Sequence, residues 1–408
     1  MKKSNIKWIG EVPDNWKLSR IGSIYVLRNT KVSDKDYPPL SVTMKGIMPQ
    51  LESAAKTNAH DDRKLVKKGD FVINSRSDRR GSCGIADQDG SVSLINTILC
   101  PNNDMNSRYY NWLFHTTEFA DEFYANGHGI VDDLWTTGWQ DMKRIIIPIP
   151  SLEVQKSIAN FLDKKCSEID GLMSDIQSQI DILEEYKKFI ITEAVTKGLN
   201  PDVEMKDSGI FYMAPYNASW RLTKIGYECS KLWRSFEPED IALLCTNKGK
   251  VAVRPPEMAG KMVSEDNAMQ GIRRGDIAIH GMDTWHGAIA LSDYNGKITR
   301  VVHVCDSTQE KRFIVYYLQQ LAFNGVYKLI SNGVRGNTSD FRSWDKVKDI
   351  YIALPDMQEQ TEIANHLDIK CAEIESIIAN KKAQLETLAE YKKSLIYEYV
   401  TGKKEVVE

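Results

Sequence analysis

The stretch IANFLDKKCSEID, residues 158–170, returns as IANHLDIKCAEIE, residues 363–375, in a chain of 408 residues. The likeness runs on without a gap, from 158–198 onto 363–403. Leu162/Leu367, Asp163/Asp368, Cys166/Cys371, Gln179/Gln384 and Leu183/Leu388 match, and the block EYKK recurs whole at 185–188 and 390–393. Nearly half the positions are identical, which an internal duplication explains and chance does not. Fainter echoes lie outside this block. WIGEVPDNWKLSRIG (8–22) parallels YMAPYNASWRLTKIG (212–226), KKGDFVI (67–73) parallels RRGDIAI (273–279), and WQDMKRIIIPIP (139–150) parallels WDKVKDIYIALP (344–355). The plan is variable block, helix, variable block, helix.

The repeated block is a helix by its spacing. Pro150 and Pro355 end apolar, strand-like runs, and Ser151 or Asp356 then stands ready as an N-cap. Leu162, Ile169, Ile176, Leu183 and Ile190 fall seven apart, with Leu172, Gln179 and Tyr186 at a second heptad position. The second copy repeats this with Ile374, Leu388 and Leu395, and with Ile377, Gln384 and Tyr391. Such a seam wants a partner helix, and the other copy is the obvious one. The residues expected to pair the helices are Ile169, Leu172, Ile176, Leu183, Tyr186, Ile190, Ile374, Ile377, Leu388, Tyr391 and Leu395. About thirty helical residues span ~45 Å. An antiparallel pair would set the two variable blocks at opposite ends of the coil, related by an approximate twofold axis.

The expected fold is therefore α+β: two mixed α/β domains separated by two long antiparallel helices in a coiled coil, pseudo-twofold through the duplication. The expected boundaries are 1–150, 151–200, 201–355 and 356–408. In the variable blocks LSVTMKGIM, GDFVINS, SLINTIL and KRIIIPIP have strand character. Residues 107–126 and the run EKRFIVYYLQQLAFNG have helical spacing.

Composition excludes several classes. Hydrophobic residues make up 42% and charged residues 27%, an ordinary globular mixture. No run is long and apolar enough for a membrane span, and the N-terminus lacks a signal-peptide core. The seven cysteines are odd in number and none forms a C-x-x-C pair, which suits reduced cytosolic thiols better than disulfides or zinc. The net charge is −3, unevenly spread: −3 over 151–200, −4 over 356–408, and +2 in each variable block. There is no phosphate-loop signature and no dinucleotide fingerprint. GSCG at Gly81 reads as a tight loop, since no histidine is defined as its partner. Asp202 and Glu204 of PDVEMK read as an exposed linker, and His280 and His286, six apart, do not suit a helical metal pair. No catalytic, cofactor-binding or metal-binding residue is expected.

What remains suggests contact. After GDFVI the chain reads NSRSDRRGS, with Asn74, Arg76, Ser77, Arg79 and Arg80. After GDIAI it reads HGMDTWHGA, with His280, Asp283, Thr284, Trp285 and His286. Equivalent positions carry different polar groups of the kinds that read base edges, Arg to guanine and Asn to adenine among them. TMKG and TNKG offer Lys45 and Lys248 as phosphate contacts, and NGHGIVDD and NGVRGNTS offer His128, Arg335 and Asn337.

With that layout the chain resembles the specificity subunits of type I restriction–modification enzymes. The likeness rests on WIGEVPDNWK, on IPIPSLEVQKSIANFLDKKCSEID with its copy IALPDMQEQTEIANHLDIKCAEIE, and on LEEYKKFIITEAVTKGL with LAEYKKSLIYEYVTGKK. It covers essentially the whole chain. SLEVQKSI departs from the family's P-x-x-E-Q phrase, and DMQEQTEI is closer to it. The resemblance implies that each variable block is a target recognition domain reading one half of a bipartite, asymmetric site on double-stranded DNA. It implies that the helices space the half-sites and dock two methyltransferase subunits, and that the subunit itself is not catalytic. S-adenosylmethionine would sit on the methyltransferase, and ATP and Mg on a restriction/translocase subunit. A cytoplasmic location is expected from the reduced thiols and the lack of a signal-peptide core. The other readings are a coiled-coil scaffold spacing two protein-binding modules, and a nuclease of unrecognised type.

Overall fold

The computed structural model describes residues 1–50, 61–102, 105–129, 135–258, 268–331 and 340–406. The chain forms two compact units. Unit 1 comprises residues 1–177 and 382–408, and unit 2 comprises residues 178–381. The division runs through both long helices, so each unit owns one variable block and a portion of each helix.

In unit 1 an antiparallel sheet has the spatial order Cys83–Ile85, Phe71–Asn74, Asn96–Pro101, Tyr25–Arg28. Hairpin Leu40–Thr43/Gly46–Pro49 and the set Gly90–Val92, Arg63–Val66, Lys31–Val32 flank it. The helical run expected over 107–126 is two helices, Ser107–Phe114 and Thr117–Ala125. Thr116 divides them, because its hydroxyl caps the second helix by accepting from the Phe119 N–H at 3.2 Å. Tyr25, Phe71, Phe114, Phe119 and Phe123 fill the space between helices and sheet, with Phe114 and Phe119 only 4.5 Å apart at their ring centroids. Strand Ile146–Ile149 returns beside Lys17–Arg20, so the block leaves for its helix next to where it began.

Unit 2 repeats this construction. Its sheet has the order Ile289–Leu291, Ile277–His280, Val302–Ser307, Cys229–Leu232, and Arg221–Lys224 pairs with Tyr351–Leu354. Helix Lys311–Phe323 packs Phe313 and Tyr317 into the core. One clasp recurs in both units. Arg28 holds Asp70 through Nε and Nη2 (2.6 and 3.1 Å), and Arg234 holds Asp276 the same way (2.7 and 2.8 Å). The two aspartates belong to the repeated Lys/Arg-Gly-Asp turn and also accept backbone N–H groups from Lys67 and Arg273.

The long helices are Leu152–Lys197 and Met357–Val400, 46 and 44 residues. Asp356 caps the second by accepting from the Glu359 N–H at 2.9 Å. Each helix ends on a glycine with positive φ, Gly198 (+92°) and Gly402 (+74°), the left-handed conformation that closes a helix C-terminus. In unit 1 Phe161 meets Tyr399 (centroids 4.4 Å) and Asp170 meets Lys392 (2.6 Å). In unit 2 Gln179 meets Lys381 and Glu375 meets Lys187, both at 2.5 Å. Numbers rise on one helix as they fall on the other, so the helices run antiparallel within each unit. The two ion pairs are the same pair, since Asp170 aligns with Glu375 and Lys187 with Lys392.

Half of the helical seam lies one residue from its expected place. Ile169, Ile374 and Leu395 are buried, and Ile176, Leu183, Ile190 and Leu388 are half-buried. Leu172, Tyr186, Ile377 and Tyr391 are exposed instead. Met173, Ile180, Lys187, Ile378, Leu385 and Lys392 take the second position. The inward residues follow a step of four and then three, where the sequence pattern had suggested three and then four, and a helix turns by about 100° per residue. Adjacent isoleucines test this. Ile378 is 8% exposed and Ile377 45%. Ile378→Asp is expected to destabilise the protein by about 3 kcal/mol, because it buries a carboxylate among apolar groups, and Ile377→Asp by under ~1 kcal/mol. Urea unfolding measures both, and equal losses would return the seam to its expected position.

Candidate nucleic-acid interface

Each variable block is fixed to the helices by one duplicated polar network. Gln155 donates to the Pro150 carbonyl (2.9 Å) and accepts from the Asn106 N–H (2.9 Å). Gln360 donates to the Pro355 carbonyl (3.0 Å) and accepts from the Glu310 N–H (3.1 Å). Arg108 bonds Asp163 and Asn160, and Arg312 bonds Asp368 and Asn365. Trp112 Nε1 and Tyr316 OH each donate to the same aspartates at 2.7 Å. These groups were not singled out in the sequence, although Asp163 and Asp368 belong to the repeated phrase.

With the domain anchored there, unit 1 carries a cleft of about 610 Å³ beyond the edge of its core. Leu27, Thr97 and Ser75 form its floor, and Ser75 and Thr97 share a hydrogen bond of 2.9 Å. Arg76, His128, Lys64, Thr136, Trp139 and Gln140 stand around it. The backbone of Thr136 bridges to both Arg76 and His128, which brings two loops distant in sequence onto one rim. His128 is exposed, its Nδ1 3.4 Å from an Asp141 carboxylate oxygen. Arginine, histidine, glutamine and threonine around such a cleft form a set suited to base edges and phosphates.

The other expected contacts divide. Asn74 is buried, and its amide oxygen accepts from the Arg76 N–H at 3.0 Å, so it shapes the loop and does not face solvent. Arg79 is exposed beside Asp78, and Arg80 lies over the Tyr124 ring (5.4 Å) while pairing with Asp121. Ser77 lies in the short turn Ser77–Arg79, and only its backbone is described. Lys45 is exposed at the tip of a hairpin, its N–H bonded to Thr43 Oγ1.

In unit 2 the expected loop is largely internal. Thr284 is fully buried. His280 is mostly buried, with Nδ1 3.2 Å from both the N–H and a carboxylate oxygen of Asp283. Burial lowers its pKa, and the Asp283 charge opposes that. Trp285 packs on the core and donates to Ser331 Oγ at 3.0 Å. Asp283 is half-exposed and His286 exposed. These residues follow a strand whose tight turn folds them back toward helix Lys311–Phe323, a constraint that the local sequence does not announce. Lys248 lines a pocket of about 310 Å³ where Glu375 joins Lys187 and Lys250, at the junction of the block with the helices. Arg335 and Asn337 lie outside the described residues.

Two chemical readings meet the geometry. Cys83 does have a histidine neighbour, His115, with Nε2 3.6 Å from Sγ. Cys83 is buried and His115 half-buried, and burial pushes the thiol pKa up and the imidazole pKa down, which disfavours the thiolate a nucleophile needs. Asp202 and Glu204 are exposed. Among the described residues no group of three or more His, Cys, Asp or Glu is placed to hold a metal ion, and no helix is long and apolar enough to cross a membrane.

Comparison with known proteins agrees with this architecture. Residues 13–181 match the type I restriction modification DNA specificity domain. Two curated relatives from Methanocaldococcus jannaschii align along nearly their whole length. The putative type I restriction enzyme MjaX specificity subunit is 24% identical over 98% of this chain and 97% of its own. The type I restriction enzyme MjaVIII specificity subunit is 23% identical over 96% and 93%. Among solved structures, a chain from a study of complex assembly and conformational transition of the type I R-M system has a TM-score of 0.71 at 13% identity, covering 97% of this chain and 100% of that one. The HsdS subunit from Thermoanaerobacter tengcongensis has a TM-score of 0.52 at 14% identity, covering 97% and 98%.

Proposed function

We propose that this chain is a type I restriction–modification specificity subunit, as the match over residues 13–181 and the relatives aligned along nearly its whole length support, and that its two units each read one half of a split, asymmetric DNA site. It is a DNA-recognition subunit and not a catalyst. The observation that carries the two-half reading is the duplication itself. Sheet order, Arg–Asp clasp and helix anchor are the same in both units, while the loops they hold differ in chemistry. A constant frame with changing contacts suits two different half-sites.

The helices would dock two methyltransferase subunits through their exposed apolar stripe, which in unit 2 includes Ile182, Tyr186 and Phe189. S-adenosylmethionine would be bound by those partners, and ATP with Mg by a restriction/translocase subunit. All would work on DNA in the cytoplasm. The net charge of −3 gives this chain little general attraction for phosphate, so partners would supply much of it.

Selection from a randomised duplex pool tests the proposal. The chain with methyltransferase subunits is expected to enrich a motif of two separated halves. The chain alone is expected to bind that motif on the order of 100-fold more weakly at physiological salt. An unsplit motif, or full affinity in the lone chain, would count against this division of labour.

A further inference from the structure

Strand register transfers the unit 1 cleft onto a different set of side chains in unit 2. Leu27 faces Leu99 across the unit 1 ladder, and Lys231 faces Cys305 across the unit 2 ladder. Residues two apart on a strand share a face. His303 therefore stands where Thr97 forms the floor of the unit 1 cleft, with Lys231 where that cleft has Leu27. The His303 ring lies 5.6 Å from Trp344, the repeat counterpart of Trp139, which lines the unit 1 cleft. His303 is buried, and its Nε2 is 2.7 Å from the Phe341 carbonyl, so it acts as floor and not as contact. Above that floor the Lys231 ammonium lies over the Trp233 ring, 4.4 Å from its centroid. Trp233 is 65% exposed.

Trp233 joins a large flat apolar ring to an N–H donor, a combination suited to contact at an interface. The face it occupies is the counterpart of the one that holds Arg76, His128 and Lys64 in unit 1. A cation set against a flat apolar ring suits nucleic acid, whose phosphates take the ammonium and whose sugars and bases take the ring. A docked protein would account for the ring but not for its place on this face.

We propose that Trp233 and Lys231 are DNA contacts of unit 2, the indole lying against sugars and bases of one half-site and the ammonium holding a neighbouring phosphate. This rests on the DNA-reading role proposed above. It replaces His280 and Thr284, which lie inside the fold, with two residues from SKLWRS, a stretch whose tryptophan among polar neighbours was the available signal.

The test uses the full chain with its methyltransferase partners, motif selection from a randomised duplex pool, and anisotropy titrations at several salt concentrations. Trp233→Ala is expected to relax one half of the split motif, leave the other half intact and weaken binding roughly 10-fold or more. Trp233→Phe should restore most of the affinity. Lys231→Met should weaken binding evenly across sequences and reduce the salt slope by about 1. Tyr227→Ala, which removes another exposed aromatic of the same unit, should change nothing. Thermal melts confirm that each variant is folded, and Lys231→Met reports independently should Trp233→Ala unfold. Unchanged motif and affinity in the Trp233 and Lys231 variants would overturn this inference and leave the DNA-reading role standing. A wild-type complex that enriches no split motif would overturn both.

Discussion

Serine at Ile182, Tyr186 and Phe189 together is expected to leave the protein folded and to cost it at least ~100-fold in affinity for methyltransferase subunits. The three residues fall four and three apart, so they form one stripe along the first long helix, and all are exposed. None belongs to the inward seam, which runs through Ile180, Leu183, Lys187 and Ile190. Removing them therefore takes nothing from the core, and the melting temperature should move by no more than about 2 °C. Each aromatic or branched side chain that a partner covers contributes about 1.5–3 kcal/mol, so losing three exceeds the 2.8 kcal/mol that a 100-fold change requires. Exposed apolar residues are fewer on the unit 1 portion of the helices, where Leu172 and Tyr391 are the large ones among the described residues. Leu172→Ser with Tyr391→Ser should cost less, and the two partners should bind with unequal affinity. Calorimetric titration reads both values. Full-strength capture by the triple variant would remove the stripe from the docking surface.

Arg28→Ala should cost unit 1 about 3–5 kcal/mol and spare unit 2, and Arg234→Ala should do the reverse. Asp70 and Asp276 retain only 3% and 4% of their side-chain exposure. Removing the guanidinium strands a carboxylate in the interior with only neutral partners, the Lys67 or Arg273 N–H and, for Asp70, the Cys100 side chain. A buried charge that loses its partner is far more costly than a broken surface pair, which is worth under ~1 kcal/mol. Hydrogen exchange resolves the units. Protection should fall across 71–74 and 96–101 in one variant, and across 277–280 and 302–307 in the other. A uniform loss of under 1 kcal/mol would place these pairs with ordinary surface contacts.

The sequence made the duplication, the helices and their antiparallel sense legible, because a repeat of this length is visible without coordinates and seven-residue spacing implies a partner. It misplaced half of the seam. Leu172, Tyr186, Ile377 and Tyr391 are apolar for a different reason, since they face outward. Periodicity alone cannot separate a face that meets the other helix from one left for a partner. The candidate site was legible where flanking turns announced it, at Arg76 and His128, which the fold brings onto one rim. It was not legible where a turn tucks side chains inward, as at Thr284, or where strand register carries a residue onto the cleft face, as at Lys231. Long-range register sets those positions, and neighbouring residues do not encode it.

At the end of the second long helix Gly402 lies against Pro13 and Trp16, Tyr397 donates to the Trp8 carbonyl (2.8 Å) and Lys403 to the Ile9 carbonyl (2.8 Å). At the end of the first, Gly198 lies against Trp220 and Asn217 donates to the Lys197 carbonyl (2.9 Å). In unit 2 the residues that close this joint are 20 apart in the chain, and in unit 1 they are 389 apart. The unit 1 joint therefore carries the loop-closure entropy of almost the whole polypeptide and forms last when the chain is made from its N-terminus.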